Sequence, residues 1–262
     1  MKSKLVSVDH DGRVAIVTMR HTDRLNAISA ELADAIVNCM EQSEKDGSRA
    51  IILRAEPGVS TWSAGHDIKE LPTDGQDPLT WSNSLEHLLR RVRAVPIPVI
   101  AAVEGGVWGG ACDLVMSVDL VVACDTSTFA ITPVKLGVPY NTAGVAHFMA
   151  AMPVHVVKEM FFTADPIDAT RAYNLGIVNR LASDPDDLLV HSLALAHRIA
   201  HRAPLAMRAI KAEVRALTDA SPMTSDVFEK LTQLRRTAWA SEDYDEGLAA
   251  FAERRPPDFQ GR

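Results

Sequence analysis

The stretch Val99-Ile100-Ala101-Ala102-Val103-Glu104-Gly105-Gly106-Val107-Trp108-Gly109-Gly110-Ala111-Cys112-Asp113 decides how the chain is read. Five apolar residues make a buried strand, a glycine-rich loop follows, and residues 109–116 carry the pattern of a short helix. Upstream, Ala50-Ile51-Ile52-Leu53 is another fully apolar strand that also leads to a glycine-bearing loop, Ser63-Ala64-Gly65-His66-Asp67-Ile68. Strands that are apolar on both faces need cover on both sides, so the chain reads as an α/β protein. Two backbone N–H groups, one from each loop, can converge on a single oxygen. That is how a protein holds an enolate or a tetrahedral oxyanion without a metal.

Around these loops, residues 5–8 and 14–19 read as strands joined by a turn over 9–12. Ser29 is placed to cap a helix running to about residue 46, with Leu32, Ala35, Ile36, Cys39 and Met40 on one face and Gly47 at its end. Residues 74–78 are turn-rich and read as a surface loop. A helix over about 80–93 is stopped by Pro96 and Pro98, and residues 119–123 form a further strand. Beyond Pro153 the pattern turns helical, over 186–202, 204–218, 224–240 and 242–254, with 177–181 as the remaining strand candidate.

Composition excludes several classes. Among 262 residues, 27 basic against 34 acidic side chains leave a formal charge of −7, which argues against a nucleic-acid surface. Cys39, Cys112 and Cys124 follow no metal spacing and read as reduced thiols of a cytoplasmic protein. No apolar stretch follows Met1 to Leu5 as in a signal peptide, and no run approaches the roughly eighteen apolar residues of a membrane span. His191, His197 and His201 lack the spacing of a zinc site, and Gly105-Gly106-Val107-Trp108-Gly109 lacks the context of a dinucleotide fingerprint.

Five collinear stretches carry a family likeness: Arg24-Leu25-Asn26-Ala27-Ile28-Ser29, Ser63-Ala64-Gly65-His66-Asp67, Glu104 through Ala111, Leu136-Gly137-Val138-Pro139, and Ala169-Thr170-Arg171-Ala172 through Gly176-Ile177-Val178-Asn179. Together they resemble the crotonase, or enoyl-CoA hydratase/isomerase, family over nearly the whole chain. The resemblance implies an α/β spiral of ββα units over 1–200 that holds an acyl-CoA site. It implies a helical trimerisation or lid region over 201–262, and a homotrimer or homohexamer built as a dimer of trimers. The substrates implied are acyl-CoA thioesters. Coenzyme A enters as part of the substrate, with no separate cofactor and no metal, and no nucleic-acid or membrane partner is expected.

The same resemblance assigns site residues. The backbone N–H groups of His66 and Gly110 would form the oxyanion hole, flanked by Gly65, Ile68, Gly106, Val107 and Trp108. Taken alone, Gly109-Gly110 serves close helix–strand packing equally well. Asp67 also reads as a local cap. Backbone near Ala27 and Ala64 would receive the adenine, with Arg24, Phe251 and Arg254 at the rim; Arg254-Arg255 also reads as a solvated helix end.

A hydratase sets a water between two carboxylates. In the pattern that the resemblance implies, the first falls at Asp113, one methylene shorter than the family's usual glutamate, and the second position, near Ile131-Thr132-Pro133, holds nothing ionisable. Decarboxylation of a malonyl-type thioester needs the oxyanion hole and no strong base. Thr132 and Tyr140, beside Pro133 and Val138, would be its neutral donors. The runs 66–72, 107–111, 127–141 and 241–247 are similar to those of family members with this chemistry. The reaction expected is that of a carboxy-lyase, turning methylmalonyl-CoA or a close relative into propionyl-CoA and CO2. The alternative is hydration or isomerisation of an enoyl-CoA, for which Asp113 alone would be the base.

Overall fold

A computed structural model of the chain describes residues 4–72, 77–78, 82–220 and 223–262. It opens with the antiparallel hairpin β1 (Val6–Asp11) and β2 (Val14–Met19), in which Val6 faces Met19 and Asp11 faces Val14. β1 runs through Asp9, His10 and Asp11, which sequence reading places in the turn. These residues lie on the sheet edge, where polar side chains reach water while the backbone stays paired to β2. The next helix, α1 (Ala30–Lys45), starts where expected: the Leu32 N–H donates to Ser29 Oγ at 3.3 Å. The Glu70 carboxylate, from across the site loop, accepts from the Ala30 N–H at 3.0 Å.

Three strand pairs follow: β3 (Ala50–Ala55) with β4 (Thr61–Ser63), β5 (Val99–Val103) with β6 (Gly106–Trp108), and β7 (Leu120–Cys124) with β8 (Thr128–Ala130). Helices α2 (Ser84–Ala94), α3 (Gly110–Ser117) and α4 (Thr142–Ala151) come after them in turn. The first strand of each pair joins one sheet and the second joins another, which makes the repeating ββα turn of a spiral. The remainder is α5 (Val154–Thr163), β9 (Ile167–Asp168), α6 (Ala169–Asn174), β10 (Arg180–Ala182), α7 (Pro185–Ala200), α8 (Pro204–Thr218), α9 (Ser225–Trp239) and α10 (Glu242–Glu253). The large sheet has the order β1-β2-β3-β5-β7-β10 and the small one β4-β6-β8-β9. Apart from the β1–β2 and β8–β9 pairs, neighbours run parallel.

Both faces of β3 and β5 are covered, as their unbroken apolar sequence requires. Ile51, Leu53, Val99 and Ala101 face α1 and α2, while Ile52, Ile100 and Ala102 face Ala196 and Ala200 of α7. The strand anticipated over 177–181 begins later. The N–H groups of Ile177 and Val178 both turn back to Ala172 O, closing α6, so pairing with β7 starts at Arg180. The loop read at 74–78 lies largely outside the described residues, as does the expected start of the helix at 80. The described part begins at Ser84 behind the cap Asn83. No helix of the described residues is long and apolar enough to cross a membrane.

The C-terminal helices close over the core through several contacts, an aromatic pair and a buried lysine among them. Trp239 and Tyr244 are buried with Val138, their ring centroids 4.8 Å apart. The Lys211 ammonium of α8 enters the junction of α2 and β5, donating to Ile97 O at 3.1 Å and Asp119 Oδ2 at 2.6 Å. Burial pulls the Lys211 pKa down, with Asp119 opposing. Asp119 Oδ2 also accepts from the Val99 N–H at 2.7 Å, so the lysine is tied to the strand that leads to the site. Lys211→Met removes the ammonium from a mostly buried pair and is expected to lower stability by about 2 kcal/mol. For a domain of this size that is a fall in Tm of roughly 4–8 °C, checked by calorimetry.

Candidate active site

Strands β4, β6 and β8 lie side by side and parallel. Their C-terminal ends deliver the Ala64–His66 loop, the Gly109–Gly110 turn and the Ile131–Pro133 segment to one edge of the small sheet. The two glycine loops touch backbone to backbone. Gly65 adopts φ +85°, and a Cβ there would stand 2.3 Å from Trp108 O and 2.9 Å from Gly110 N. Gly109 takes φ 54° and ψ −121°, a conformation reserved for glycine, while its N–H donates to Ala130 O at 2.9 Å. Thr132 Oγ1 lies 3.2 Å from where a Gly109 Cβ would be, which sets a hydroxyl at the mouth of the turn.

The orientation of the two site N–H groups follows from this geometry. Ile28 and His66 form an isolated parallel bridge that uses the carbonyl of Gly65 and the N–H of Asp67. Alternation along an extended strand then turns the N–H of His66 the other way. Gly110 is the first residue of α3, where a helix leaves its N–H groups unused. Among the described residues neither N–H has a hydrogen-bond acceptor. They lie close together, since a Cβ on Gly110 would be 3.4 Å from His66 N. The pair, with the N-terminus of α3 behind it, is built to hold a partial negative charge.

The His66 imidazole is held by neutral groups. Its Nδ1 lies 3.1 Å from Asp67 O and its Nε2 lies 3.2 Å from Asn83 Nδ2. Asn83 Oδ1 accepts from the Leu85 and Glu86 N–H groups at the start of α2, so its Nδ2 faces the histidine as a donor. His66 is therefore the neutral tautomer with the proton on Nδ1. Burial holds its pKa below the ordinary value, against the pull of Asp67 O, Glu70, Asp67 and Asn83. Asp67 itself caps the short turn Ile68–Glu70, accepting from the Lys69 N–H at 3.0 Å.

Tyr140 is half-buried against Phe161 and Phe148, in edge contacts at 5.3 and 6.1 Å. Its hydroxyl donates to Asp113 Oδ2 at 3.2 Å. Burial, then the charge of Asp113, pushes the phenol well above its ordinary value, so it stays a neutral donor. Asp113 is fully buried on α3, one turn after Gly110. Its other oxygen accepts from His147 Nδ1 at 2.6 Å, and His147 Nε2 faces Arg93 Nη1 at 3.0 Å. Arg93 continues to Asp219 beyond α8. A second buried acid, Glu86, is held by Asn141 Nδ2, and burial raises its pKa.

Sequence reasoning missed Asn83, Glu86 and His147, and it reads Arg93, with Arg90 and Arg91, as a solvated helix face or part of a phosphate rim. The spacing Asn83-Ser84-Leu85-Glu86 is a helix-start signature that points to the first two. Nothing local marks His147 or Arg93, which meet Asp113 from separate helices.

On the coenzyme side, the loop 24–28 is stitched to the loop 63–65. Ala64 N–H donates to Leu25 O at 2.9 Å, and Ile28 N–H to Gly65 O at 2.7 Å. The buried Asn26 bonds to His21 N and Trp62 O, so Ala27 and Ala64 come together with Arg24 exposed beside them. Val138 turns its side chain to Trp239 and Tyr244. Phe251 and Arg254 stand exposed at the end of α10, and no hydrogen bond ties their side chains to these loops among the described residues. The Arg255 guanidinium is taken up by Glu246 and Glu253.

The state of His66 is measurable. Nitrogen NMR at pH 7 should show the Nδ1–H tautomer, with a titration midpoint below the ordinary value of about 6.5. Its contribution to stability is full above that value. As pH falls, the unfolded chain takes up a proton that the folded ring refuses, and stability declines through the window down to the folded midpoint. In urea unfolding at a series of pH values, His66→Gln should flatten this decline. An imidazolium at pH 7 would contradict the assignment.

The sequence model of the family described as enoyl-CoA hydratase/isomerase matches residues 9–262. The methylmalonyl-CoA decarboxylase of Escherichia coli (strain K12) is 43% identical over 261 residues, covering 100% of both chains. A crystal structure of methylmalonyl-CoA decarboxylase complexed with 2S-carboxypropyl-CoA superposes with a TM-score of 0.97 at 43% identity, again covering 100% of both chains. A probable enoyl-CoA hydratase of Mycobacterium leprae (strain TN) is 31% identical over 267 residues, with the same full coverage. With its two converging N–H groups set on a ββα spiral, the chain belongs to the enoyl-CoA hydratase/isomerase family.

Proposed function

We propose that the protein is a carboxy-lyase that converts methylmalonyl-CoA, or a close malonyl-type thioester, into propionyl-CoA and CO2. The observation that carries this reading is the pair of N–H groups of His66 and Gly110, without an acceptor among the described residues, with the Thr132 hydroxyl at the Gly109 turn and the Tyr140 hydroxyl on Asp113, one helical turn after Gly110. The likeness to methylmalonyl-CoA decarboxylase over the full length of both chains supports the substrate.

The chemistry follows from the geometry. With the thioester oxygen on the two N–H groups, the acyl carbonyl becomes the electron sink. The bond from C2 to the carboxyl group breaks, its electron pair enters the enolate, and the negative charge gathers on the thioester oxygen as neutral CO2 departs. The substrate supplies its own sink, so the reading calls for no cofactor. Tyr140 and Thr132 hold the carboxylate out of the thioester plane, where the breaking bond overlaps the carbonyl. Neutral donors suit the task, because a cation would favour the ground-state carboxylate over the transition state. The hydratase alternative lacks its second acid: the residue beside Gly109 is Thr132, a hydroxyl.

Coenzyme A would lie with its adenine on the joined loops of Ala27 and Ala64 and its phosphates toward Arg24. Arg254 and Phe251 would serve that rim from α10, of the same or a neighbouring copy. Cys39, Cys112 and Cys124 are free thiols, in keeping with a cytoplasmic site of action. The helices over 201–262 are assigned to assembly. Leu205, Ile210, Val214 and Leu217 of α8 and Val227 and Leu234 of α9 are apolar and exposed, more than a solitary chain leaves to water. A homotrimer, or a dimer of trimers, would cover them.

The decisive experiment offers methylmalonyl-CoA and crotonyl-CoA separately and weighs the products. Loss of CO2 from the first is expected; hydration of the second with the first untouched would overturn the reading. Tyr140→Phe should lower kcat on methylmalonyl-CoA by about 10²-fold. For assembly, Leu205→Glu combined with Leu217→Glu should move the sedimentation mass from a multiple of three chains to one.

A further inference from the structure

Tyr140 has one hydroxyl hydrogen, and in the structure Asp113 holds it. The same hydrogen is needed by the substrate carboxylate under the function proposed above, on which this inference rests. Asp113 is in no position to yield it without consequence. The residue is fully buried, and its remaining hydrogen bond comes from His147 Nδ1 at 2.6 Å. Arg93 Nη1 lies 3.0 Å from Nε2 as a donor, so the Nδ1 hydrogen is the one that Asp113 receives. A second acid, Glu86, is also buried and is within electrostatic reach of Asp113.

A carboxylate held by Tyr140 Oη at an ordinary hydrogen-bond distance of about 2.7 Å can lie no farther than about 6 Å from Asp113. We propose that Asp113, fixed by His147, is a positioning residue that shares the Tyr140 hydrogen and sets a buried negative charge against the substrate carboxylate, so that the bound substrate is destabilised until CO2 leaves.

The carbon–carbon cleavage balances without a proton transfer, and the enolate then takes one proton at C2 from water to give propionyl-CoA. The C2–carboxyl bond breaks, its pair becomes the enolate, and the charge that faced Asp113 moves to the thioester oxygen at His66 and Gly110. The departing CO2 carries no charge, so the repulsion present in the Michaelis complex fades along the reaction. The Tyr140 hydrogen is then released back to Asp113. An aspartate in the first turn of α3 that was present only to favour the helix dipole would have no reason to bond Tyr140 and His147.

The test is a binding comparison that requires no turnover. The native protein is titrated with 2-carboxypropyl-CoA, which has no thioester carbonyl and cannot react, and with the corresponding neutral carboxamide. The carboxamide should bind more tightly. Asp113→Asn should then bind 2-carboxypropyl-CoA about tenfold or more tighter than the native protein, with affinity for propionyl-CoA unchanged and kcat on methylmalonyl-CoA reduced. Unchanged propionyl-CoA binding also certifies the fold of the variant; if the variant does not fold, the native comparison decides alone. Tighter native binding of the carboxylate than of the carboxamide would overturn the proposal, as would an Asp113→Asn variant that changes both affinities equally. Failure of the native protein to act on methylmalonyl-CoA would instead overturn the proposed function, an outcome read in a separate assay.

Discussion

The site depends on one backbone contact. Gly65 and the Trp108–Gly110 turn meet with no side chain between them, and a single methyl group at residue 65 would fall 2.3 Å from a carbonyl oxygen. That closeness brings the His66 and Gly110 N–H groups to one locus. It also explains how much structure is spent on holding the two loops. Asn26 reaches Trp62, Ser63 Oγ reaches Asn26 O at 2.7 Å, Ile28 bonds Gly65, and Gly109 bonds Ala130. The first three tie residues 26–28 to residues 62–65, and the fourth ties the Gly109 turn to β8. The ββα repeat can therefore be understood as a way to bring three strand ends to one edge at the spacing an oxyanion requires.

The electrostatics of the site are set by what is kept neutral. Burial holds the His66 pKa below its ordinary value against the pull of its polar contacts, and the Tyr140 phenol is pushed up by burial and by Asp113. Arg93 points its guanidinium at His147 and Asp219, two residues removed from Tyr140 along the hydrogen-bond chain. Positive potential therefore comes from backbone N–H groups and a helix terminus, which are fixed in place and cannot follow the substrate carboxylate. A mobile lysine or arginine in the same place would pair with the ground state. The arrangement separates the charge to be stabilised, at the thioester oxygen, from the charge to be shed, at the carboxylate.

Much of this was legible in the sequence, for identifiable reasons. β3 and β5 announce themselves because runs of four and five consecutive apolar residues suit strands covered on both faces. α1 and α7 carry caps and long periodic faces. β6 falls inside the glycine-rich stretch that sequence reading takes as a loop, and β4 and β8 go unread, because three residues give no periodicity, yet these strands lead into the site. The oxyanion loops were legible through their glycines and through resemblance. The chain from Tyr140 through Asp113, His147 and Arg93 to Asp219 was not, because its members come from α3, α4, α2 and the end of α8, and no local pattern records their meeting. Tertiary polar networks leave a mark in one sequence only where a member doubles as a cap, as Asn83 and Asn141 do.

That chain also joins two parts of the molecule that the sequence presents as separate. α8 carries apolar side chains on its exposed side and polar anchors on its inner side. Lys211 is fastened to Asp119 and Ile97 O, the Arg215 guanidinium reaches Arg93 O at 3.4 Å, and Asp219 takes up the Arg93 guanidinium. Arg93 in turn settles the tautomer of His147, which orients Asp113, which holds the hydroxyl of Tyr140. Whatever covers the outer face of α8 therefore steadies the side chains that set the Tyr140 hydrogen. The end of α8 and the hydroxyl of Tyr140 are thus joined through Asp219, Arg93, His147 and Asp113 in one continuous chain of polar contacts.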